Sequence, residues 1–260
     1  MIELDKIYNC DCLEGMKDIP DKSVDAIVCD LPYNCLNKDS EGGQWDFLIP
    51  FEPLWEQYKR ITKPNAAIVL FAQGMFTAKL MMSNPKMWRY NLVWNKCRAT
   101  GFLNANRMPL RYHEDICVFY DKLPIYNPQM EELNGREPNH AQGNGKHNDT
   151  NRCYGGFNRI YDKTIPNKKH PGSIISIPAV HCGEDQSHPT QKPINLMRYL
   201  ISTYSNSGGV ILDNCIGSGT TAIACIREKR HYIGFELDKG YYEQACKRVE
   251  REKQQLMLDL

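Results

Sequence analysis

Residues 210–221, which read VILDNCIGSGTT, decide the fold of this chain. An apolar run typical of a buried strand ends at Asp213, and two glycines, Gly217 and Gly219, precede a helix-like stretch that begins at Ala222. Glycines in such a turn let a ligand approach the backbone closely, and the start of the helix offers free N–H groups. The stretch therefore predicts a strand–turn–helix unit that binds a ligand at the carboxyl end of its strand.

An acidic residue further along the chain indicates what kind of ligand this is. The next apolar run, 231–235, ends in Glu236, about twenty residues beyond the turn, where a ribose-binding carboxylate is expected. The combination predicts a cofactor that contains adenosine. A dinucleotide fingerprint would read Gly-x-Gly-x-x-Gly, and its relaxed form tolerates Ala222 at the last position. A dehydrogenase is still disfavoured, because the unit lies near the end of the chain and Asp213 precedes its turn.

A second candidate site is the tetrapeptide Asp30-Leu31-Pro32-Tyr33, which follows the apolar run 24–29. Pro32 cannot donate to a β-ladder, and it biases Leu31 toward an extended conformation. The turn places a carboxylate, backbone carbonyls and an aromatic ring together at the end of a strand, where open α/β sheets bind ligands. By itself the tetrapeptide is equally compatible with a solvated acid and a packed tyrosine at a strand end.

Apolar runs alternate with helix-like stretches along most of the chain. Strands are predicted at 6–10, 24–29, 66–72, 90–95, 115–120, 210–213 and 231–235, with one further short strand at 174–178. Helices are predicted at 53–62, 75–82, 222–228 and 241–252, with another after residue 193. This alternation predicts an α/β fold with a doubly wound sheet.

Composition limits the class of protein without identifying it. The chain has 260 residues and a formal net charge of +1, so its overall charge does not predict a partner. Its start lacks the basic flank and apolar core of a signal peptide, and no apolar run approaches the ~20 residues that cross a bilayer. A cytoplasmic location without membrane association is expected. The eleven cysteines contain no Cys-x-x-Cys pair, so we predict free thiols and no metal site.

The middle of the chain differs in character from both ends. Residues 138–182 are rich in Asn, Gly and His, and basic residues there outnumber acidic ones, with aromatic residues interleaved. Such a segment is either a solvated surface insertion or a surface that contacts nucleic acid. The candidate DNA-binding residues are Arg152, Arg159, Lys168 and Lys169 in this segment, together with Arg98 and Arg107 in an irregular loop that precedes it.

Three stretches of the sequence, taken in order, resemble the β group of S-adenosylmethionine-dependent DNA amino-methyltransferases. Asp30-Leu31-Pro32-Tyr33 is similar to the Asp-Pro-Pro-Tyr catalytic motif of that family. Residues 188–193, which read HPTQKP, resemble a cofactor-side signature, and residues 213–221 resemble the S-adenosylmethionine loop. The resemblance covers most of the chain except approximately residues 121–186.

The resemblance implies a specific arrangement of the chain. A mostly parallel, doubly wound seven-stranded sheet is expected, with its elements in a circularly permuted order. Residues 1–121 and 187–260 would form the catalytic and cofactor-binding domain. Residues 122–186 would form an inserted target-recognition segment.

The sequence departs from the family pattern at three places. The family usually has Asp-Pro-Phe before the cofactor glycines, whereas this chain has Asp213-Asn214-Cys215 and so lacks one apolar contact to the cofactor. The family's Gly-Asp after the first strand is Cys10-Asp11 here, which keeps the acid. Leu31 replaces the first proline of the catalytic motif, a change we expect to be tolerated because that position acts through its backbone carbonyl.

The resemblance also assigns roles to individual residues. Asp30 and the Leu31 carbonyl would accept the N–H groups of an exocyclic amine, and Tyr33, after Pro32, would stack on a base flipped out of the duplex. Glu236 would hold the cofactor ribose and Asp11 its adenine amine, with Thr190 and Lys192 at its methionine carboxylate. The full cofactor-binding set is Asp11, Asp30, His188, Thr190, Lys192, Asp213, Gly217, Gly219, Thr220 and Glu236.

Substrate and partners follow from the same resemblance. An Asp at the first catalytic position implies the N6 amine of adenine in double-stranded DNA, with the N4 amine of cytosine as the alternative. A carbon-5 cytosine enzyme is disfavoured because the chain has no Pro-Cys pair to supply the nucleophilic thiol. An amine methyltransferase for RNA or protein and a non-catalytic nucleotide-binding module remain open. A bacterial or phage origin is expected, and a homodimer and a cognate restriction endonuclease are the protein partners considered.

Overall fold

The structure is a computed structural model that describes residues 2–34, 47–132, 150–151, 155–156, 168–180 and 191–258. The strands are β1 (Lys6–Asn9), β2 (Val24–Cys29), β3 (Thr62–Ala72), β4 (Trp88–Thr100), β5 (Arg111–Phe119), β6 (Glu131–Glu132), β7 (Thr150–Asn151), β8 (Gly155–Gly156), β9 (Lys168–Lys169), β10 (Ile174–Ser176), β11 (Val210–Asp213) and β12 (His231–Glu236). The helices are α1 (Cys12–Lys17), α2 (Phe51–Ile61), α3 (Met75–Ser83), α4 (Ile194–Tyr204), α5 (Thr220–Arg227) and α6 (Lys239–Leu258).

The chain divides into two compact units, of which the larger holds the main sheet. This unit comprises Met1–Asn127 and Ser173–Leu260, and the smaller comprises Pro128–Gly172. Both boundaries lie inside the 122–186 range expected for the insertion. Asn127 belongs to the larger unit, where its backbone N–H donates to the carbonyl of Thr203 at 2.8 Å.

The main sheet confirms the predicted α/β class. Its strand order is β1-β12-β11-β2-β3-β5-β4-β10. All neighbouring strands run parallel except for the two pairs that contain β5, which is antiparallel to both β3 and β4. Within the described ranges the sheet therefore has one strand more than the seven expected, because the short strand β10 joins its edge beside β4.

The strand order reverses between β11 and β2, and this reversal positions the site. The chain leaves β11 through α5 to β12 on one side, and it leaves β2 through α2 to β3 on the other side. Ligands of open α/β sheets bind at the carboxyl ends of the strands beside such a reversal. Here those two carboxyl ends are Asp213 and the residue after Cys29, which is Asp30. The two sequence motifs, far apart in the chain, thus lie on neighbouring strands.

Helices cover both faces of the main sheet, which is why its central strands are continuously apolar. Leu196, Ile223 and Val249, from α4, α5 and α6, pack in one buried cluster. Residues of α1, α2 and α3 pack in the other, on the opposite side of the strands. None of the helices in the described ranges is both long and apolar enough to cross a bilayer.

The smaller unit is described at four short segments, 128–132, 150–151, 155–156 and 168–172. Its strand β6 pairs antiparallel with β9, which places Glu131 opposite Lys169 and Glu132 opposite Lys168. The short strands β7 and β8 pair with each other in the same way.

One prediction about the larger unit is wrong, because part of a predicted loop forms strands. The stretch between the strands predicted at 90–95 and 115–120 was expected to be an irregular loop. Instead β4 continues to Thr100 and β5 begins at Arg111, so the two strands form a long hairpin. The local signal is weak because the ladder is irregular between Asn95 and Thr100, where Cys97 has a φ of 56°.

Candidate active site

Asp30 lies immediately after β2, and both of its carboxylate oxygens have partners. The Tyr33 hydroxyl donates to Oδ1 at 2.6 Å, and the Lys192 ammonium donates to Oδ2. The Asp30 side chain is partly buried, and Lys192 is 9% exposed. A carboxylate held from two sides in this way has a fixed orientation at the sheet edge.

Lys192 connects Asp30 to a second carboxylate that the sequence did not single out. Its Nζ lies 3.5 Å from Oε2 of Glu114 and 5.0 Å from the centre of the Phe71 ring. Lys96 lies 3.2 Å from the other oxygen of Glu114, because Glu114 on β5 is the neighbour of Trp94 on β4. Lys96, Glu114, Lys192 and Asp30 therefore form a mostly buried row of alternating charges, which we call the charge row.

The charge row alters the acidity of its members. Burial raises the pKa of Asp30, Lys192 opposes this shift, and Glu114 adds to it. Burial alone would lower the pKa of Lys192, but the carboxylates of Asp30 and Glu114 outweigh it and raise the pKa. Burial would likewise raise the pKa of Glu114, but the two ammonium groups reverse the shift and lower it. Each charge thus depends on its neighbours for its ionised state.

Tyr33 presents its ring beside the Asp30 carboxylate. One face of the ring stacks on Phe76 of α3, with 4.8 Å between the ring centres and 29° between the planes. Burial, followed by the charge of Asp30, raises the pKa of the Tyr33 hydroxyl well above its ordinary value, so the group acts as a hydrogen-bond donor. Phe76 covers one face of the ring, so a planar ligand could stack only on the opposite face.

The loop between β11 and α5 is held from beneath by Asp213. Its Oδ1 accepts from the Cys215 backbone N–H at 3.1 Å, and its Oδ2 accepts from the Thr221 hydroxyl. The Asp213 side chain is buried, and this burial raises its pKa to about 6. Asp213 therefore supports the turn from inside the fold.

The glycine turn itself is shaped by close packing. Gly219 has a φ of +80°, and a Cβ built there would lie 3.2 Å from the Cβ of Ala245 on α6. Ile216 occupies the space that a side chain at Gly234 would need, and its N–H donates to the Phe235 carbonyl at 2.9 Å. A larger residue at Gly219 would push the turn away from α6, and a larger residue at Gly234 would push Ile216 and the turn away from β12.

Glu236 at the end of β12 faces this turn. One carboxylate oxygen accepts from the Gly217 N–H at 2.9 Å, and the other accepts from the Asp238 N–H at 2.9 Å. Burial raises the pKa of Glu236 above its ordinary value. A carboxylate can accept about four hydrogen bonds, so two acceptor positions remain for a diol such as that of a ribose. The turn and this carboxylate fit the adenosine part of a cofactor.

Comparison with known proteins identifies the family. Residues 24–247 match the family model of the N6 and N4 DNA methylases. The chain belongs to the N6/N4 DNA methylase family. S-adenosylmethionine is therefore its cofactor, and the predictions of a DNA amino-methyltransferase and of this cofactor are confirmed.

Individual relatives agree with this assignment. The chain is 29% identical over 258 residues to the Type II methyltransferase M.BglII of Bacillus subtilis, covering 93% of this chain and 68% of the relative. Its fold is similar to that of the M1.HpyAVI complex with S-adenosylmethionine, with a TM-score of 0.61, 23% identity, and coverage of 94% of this chain and 98% of the other. It is also similar to the cytosine-N4-specific PvuII DNA methyltransferase, with a TM-score of 0.67, 14% identity, and coverage of 96% and 90%.

In this DNA methylase the larger unit brings most of the predicted site residues to one sheet edge. Asp30 to Tyr33 follow β2, while Asp213, Gly217, Gly219, Thr220 and Glu236 surround the turn between β11 and α5 and the end of the neighbouring strand β12. His188, Thr190, Arg152 and Arg159 lie outside the described residues. The individual roles assigned to these residues stay predictions.

Two predicted cofactor ligands make structural contacts that the sequence did not anticipate. Lys192, expected at the methionine carboxylate, pairs with Asp30 and Glu114. Asp11, expected at the adenine amine, caps α1, since its Oδ1 accepts from the N–H groups of Leu13 at 2.8 Å and Glu14 at 3.2 Å. An Asp directly before a helix is a common cap, so this signal was present in the sequence.

The raised pKa of Asp213 predicts a pH dependence of stability. Because the folded pKa of about 6 exceeds the ordinary 3.8, the folded protein binds this proton more tightly than the unfolded chain does. Relative to Asp213→Asn, the wild type should gain about 1.4 kcal/mol per pH unit as the pH falls below about 6. This gain in the free energy of unfolding should be complete at pH values below the ordinary aspartate pKa of 3.8, and it should be lost as the pH rises through about 6. Denaturant unfolding of the wild type and Asp213→Asn across this pH range measures the difference. The same pH dependence of the free energy of unfolding in both proteins would contradict the prediction.

Proposed function

We propose that this DNA methylase is site-specific and transfers a methyl group from S-adenosylmethionine to the N6 amine of an adenine flipped out of duplex DNA. The observation that carries the proposal is the place of Asp30. Its carboxylate is fixed at the carboxyl edge of β2, next to Tyr33, and β2 is the neighbour of the strand that leads into the cofactor turn. An amine acceptor and a nucleoside-binding turn thus share one edge of the sheet.

The cofactor turn contributes the binding of the methyl donor. The Glu236 carboxylate is oriented by the N–H groups of Gly217 and Asp238, and it would hold the ribose hydroxyls. Asp213 keeps the turn in place from below without facing solvent. S-adenosylmethionine supplies, when bound, a methyl group on a positively charged sulfur.

Asp30 and Leu31 prepare the amine for reaction. An exocyclic amine on a base is a poor nucleophile because its lone pair is delocalised into the ring. Two acceptors, the Asp30 carboxylate and the Leu31 carbonyl, would bind its two N–H groups and favour a pyramidal nitrogen. Both lie just beyond Cys29, the last residue of the β2–β3 ladder. The rate enhancement would come from the orientation of the amine and from the fixed charge beside it, without a covalent intermediate on the protein.

Tyr33 would hold the base by stacking, and two substitutions separate its ring from its hydroxyl. Tyr33→Ala should slow methyl transfer by roughly ten- to a hundredfold, since stacking on an aromatic side chain contributes ~1–3 kcal/mol per base. Tyr33→Phe keeps the ring and loses only the hydrogen bond to Asp30, so its rate should stay within a few-fold of the wild type. Single-turnover rates on duplex DNA measure both, and equal losses in the two variants would contradict the stacking role.

The choice of adenine is proposed on the aspartate at position 30, which is commoner among the adenine enzymes of the resembled family. The cytosine N4 amine is the second candidate, and the fold similarity to the cytosine-N4-specific PvuII enzyme favours it. Digestion of methylated DNA to nucleosides, followed by mass spectrometry, distinguishes N6-methyladenine from N4-methylcytosine. Labelled methyl transfer to RNA or protein but not to duplex DNA would overturn the proposal. Methylation-sensitive sequencing of the same DNA maps the recognised site.

DNA contact is proposed for the basic residues predicted from the sequence. Arg98 and Arg107 are exposed on the β4–β5 hairpin. Lys168 and Lys169 lie in the smaller unit, where they pair with Glu132 at 3.5 Å and Glu131 at 2.8 Å. These glutamates offset much of the field that the two lysines would project onto a phosphate backbone. Target recognition stays proposed for residues 122–186, the range that contains the smaller unit.

The pairing of Lys168 and Lys169 with glutamates predicts that these two lysines contribute little to the salt dependence of DNA binding. Replacing Arg98 and Arg107 together by alanine should reduce the slope of log K against log salt by about 1.8, or ~0.9 for each lost phosphate contact. Replacing Lys168 and Lys169 together by alanine should weaken binding, but it should reduce the slope by less than about 1.8 because their glutamate partners already offset much of their charge. Filter binding or fluorescence anisotropy at several salt concentrations measures both slopes. If neither double variant changes its slope, these residues do not contact phosphates.

A role in restriction and modification is proposed from the relatives, which are named Type II methyltransferases. A cognate restriction endonuclease and a homodimer are the protein partners that this role suggests. Protection of methylated DNA against a panel of endonucleases tests the first, and sedimentation of the purified protein tests the second. A bacterial or phage-encoded enzyme of the cytoplasm is the corresponding setting.

A further inference from the structure

The tip of the β4–β5 hairpin exposes an unusual amount of apolar surface. It contains a single 3-10 turn, Phe102–Asn104, between the two strands. Leu103 is 101% exposed, Phe102 is 66% exposed and Met108 is 55% exposed. Exposed apolar residues that cluster in this way, with a charged rim, mark interaction sites on soluble proteins.

The tip is held in one shape by its own backbone. The N–H of Asn104 donates to the Gly101 carbonyl at 3.0 Å, and the N–H of Ala105 donates to the Phe102 carbonyl at 3.1 Å. The Asn104 carbonyl accepts from the N–H groups of Arg107 at 2.9 Å and Met108 at 3.0 Å. Leu103 is thus presented on an ordered turn, so little conformational entropy is lost when it enters a partner.

The charge around the tip indicates a polyanionic partner. Residues 97–113 contain three arginines but no aspartate or glutamate. The arginines Arg98, Arg107 and Arg111 are exposed, and a side-chain hydrogen bond of 3.1 Å from Arg111 to Gln73 braces the base of the tip. A cationic rim around an apolar point is the pattern of proteins that insert side chains between base pairs.

The hairpin projects from the same sheet edge as Asp30. β4 runs parallel to β3 and β2, since both β4 and β3 are antiparallel to β5. The end of β3, Ala72, is the neighbour of Asp115, and β5 begins earlier, at Arg111. At about 3.4 Å per residue, the paired strands extend roughly 14 Å beyond the end of β3 before the tip begins. A duplex placed with a base at Asp30 would meet this projection.

We propose that the hairpin tip enters duplex DNA at the target base, with Leu103 and Phe102 filling the space that the flipped base leaves. This inference rests on the proposed function. Flipping a base unstacks its neighbours, which costs free energy, and an apolar side chain in the gap restores contact with the remaining bases. The arginines on the rim would hold the phosphates on either side of the gap.

The test compares Leu103→Ala with the wild type on two versions of a synthetic duplex that contains the mapped site. One version is fully paired, and in the other the target base faces a non-complementary base and is already unpaired. Leu103→Ala should be roughly tenfold slower in single turnover on the paired duplex and close to the wild-type rate on the mismatched one, because the cost of flipping is smallest for a mismatched base. Leu123→Ala is the matched control, since Leu123 is 81% exposed but follows β5 at the opposite edge.

Other results would overturn the inference. Equal slowing on both duplexes, or no slowing on either, would show that Leu103 does not assist flipping. Association of the wild type that Leu103→Ala abolishes would make the tip a contact between two copies of the chain. Failure of the proposed function itself is a separate outcome, because the wild type would then methylate neither duplex. Thermal unfolding should be unchanged in the variant, since the replaced side chain is fully exposed.

Discussion

Asp30→Ala should lose methyl transfer to DNA, by at least about a thousandfold, while S-adenosylmethionine still binds. The substitution removes the carboxylate that would accept the amine N–H groups, and it leaves the cofactor turn on β11 untouched. Asp30→Asn keeps the shape of the side chain but loses the charge that Lys192 and Tyr33 now hold in place. It should therefore also be strongly impaired. Single-turnover methylation gives the rate, and calorimetric titration with the cofactor gives the binding constant.

A neighbouring carboxylate provides the control for this experiment. Asp115 lies on β5 near the same sheet edge, is partly buried, and accepts a hydrogen bond of 2.8 Å from the hydroxyl of Thr77. Asp115→Asn should retain methylation close to the wild-type rate. If Asp30→Ala keeps appreciable activity, the assignment of Asp30 as the amine acceptor is wrong. If both variants lose cofactor binding, the defect is structural.

Lys192→Met and Glu114→Gln should shift the acid limb of the pH–rate profile in opposite directions. Without the ammonium of Lys192, the pKa of Asp30 should rise further, since burial and Glu114 both act that way. As the pH is lowered, the methylation rate of Lys192→Met would then begin to fall at a higher pH than that of the wild type. At neutral pH the variant should be roughly ten- to a hundredfold slower than the wild type. Without the charge of Glu114, the pKa of Asp30 should fall and the limb should move to lower pH. Single-turnover rates across the acid range measure both shifts.

This pair of variants separates two roles for Lys192. If Lys192 instead binds the cofactor carboxylate, as the sequence suggests, Lys192→Met should weaken cofactor binding without moving the limb. Lys192→Arg keeps the charge and should restore most of the profile. Among the residues that the structure describes, the other titratable groups near Asp30 are Tyr33, Cys29, Asp213 and, through Glu114, Lys96. They are unchanged in each variant, so opposite shifts can be attributed to the two substituted charges.

The sequence was sufficient to predict the parts of the site that depend on strand order and local turns. Apolar runs marked β2 and β11, with an aspartate directly after the first and at the end of the second, so their carboxyl ends could be predicted from the sequence as the place of the candidate site. The glycines and Glu236 gave the cofactor turn in the same way. These features are encoded within a few residues of each other, where backbone chemistry is decisive.

The sequence could not predict the partners that come from elsewhere in the chain. Glu114 lies in the polar first half of β5, just before its apolar residues, which was a weak signal. Its pairing with Lys96 and Lys192 depends on the register of β4 against β5 and on the segment that leads into α4. The assignment of Lys192 from its motif alone placed it near the right edge but could not choose between an internal carboxylate and the cofactor. Burial of several charges together is decided by tertiary packing.

The pairing of the first strand with the last one constrains how the chain folds during synthesis. β1 is hydrogen-bonded to β12, so the ladder of residues 6–9 cannot form until residues 233–236 have been synthesised. β2 likewise lacks its β11 neighbour until residues 211–212 have been made. Closing such long loops is slow, and the exposed edge of β2 is open to wrong pairing in the meantime. The cofactor turn is therefore completed only after residue 236 has been synthesised, and truncation before β12 would leave β1 without its partner strand.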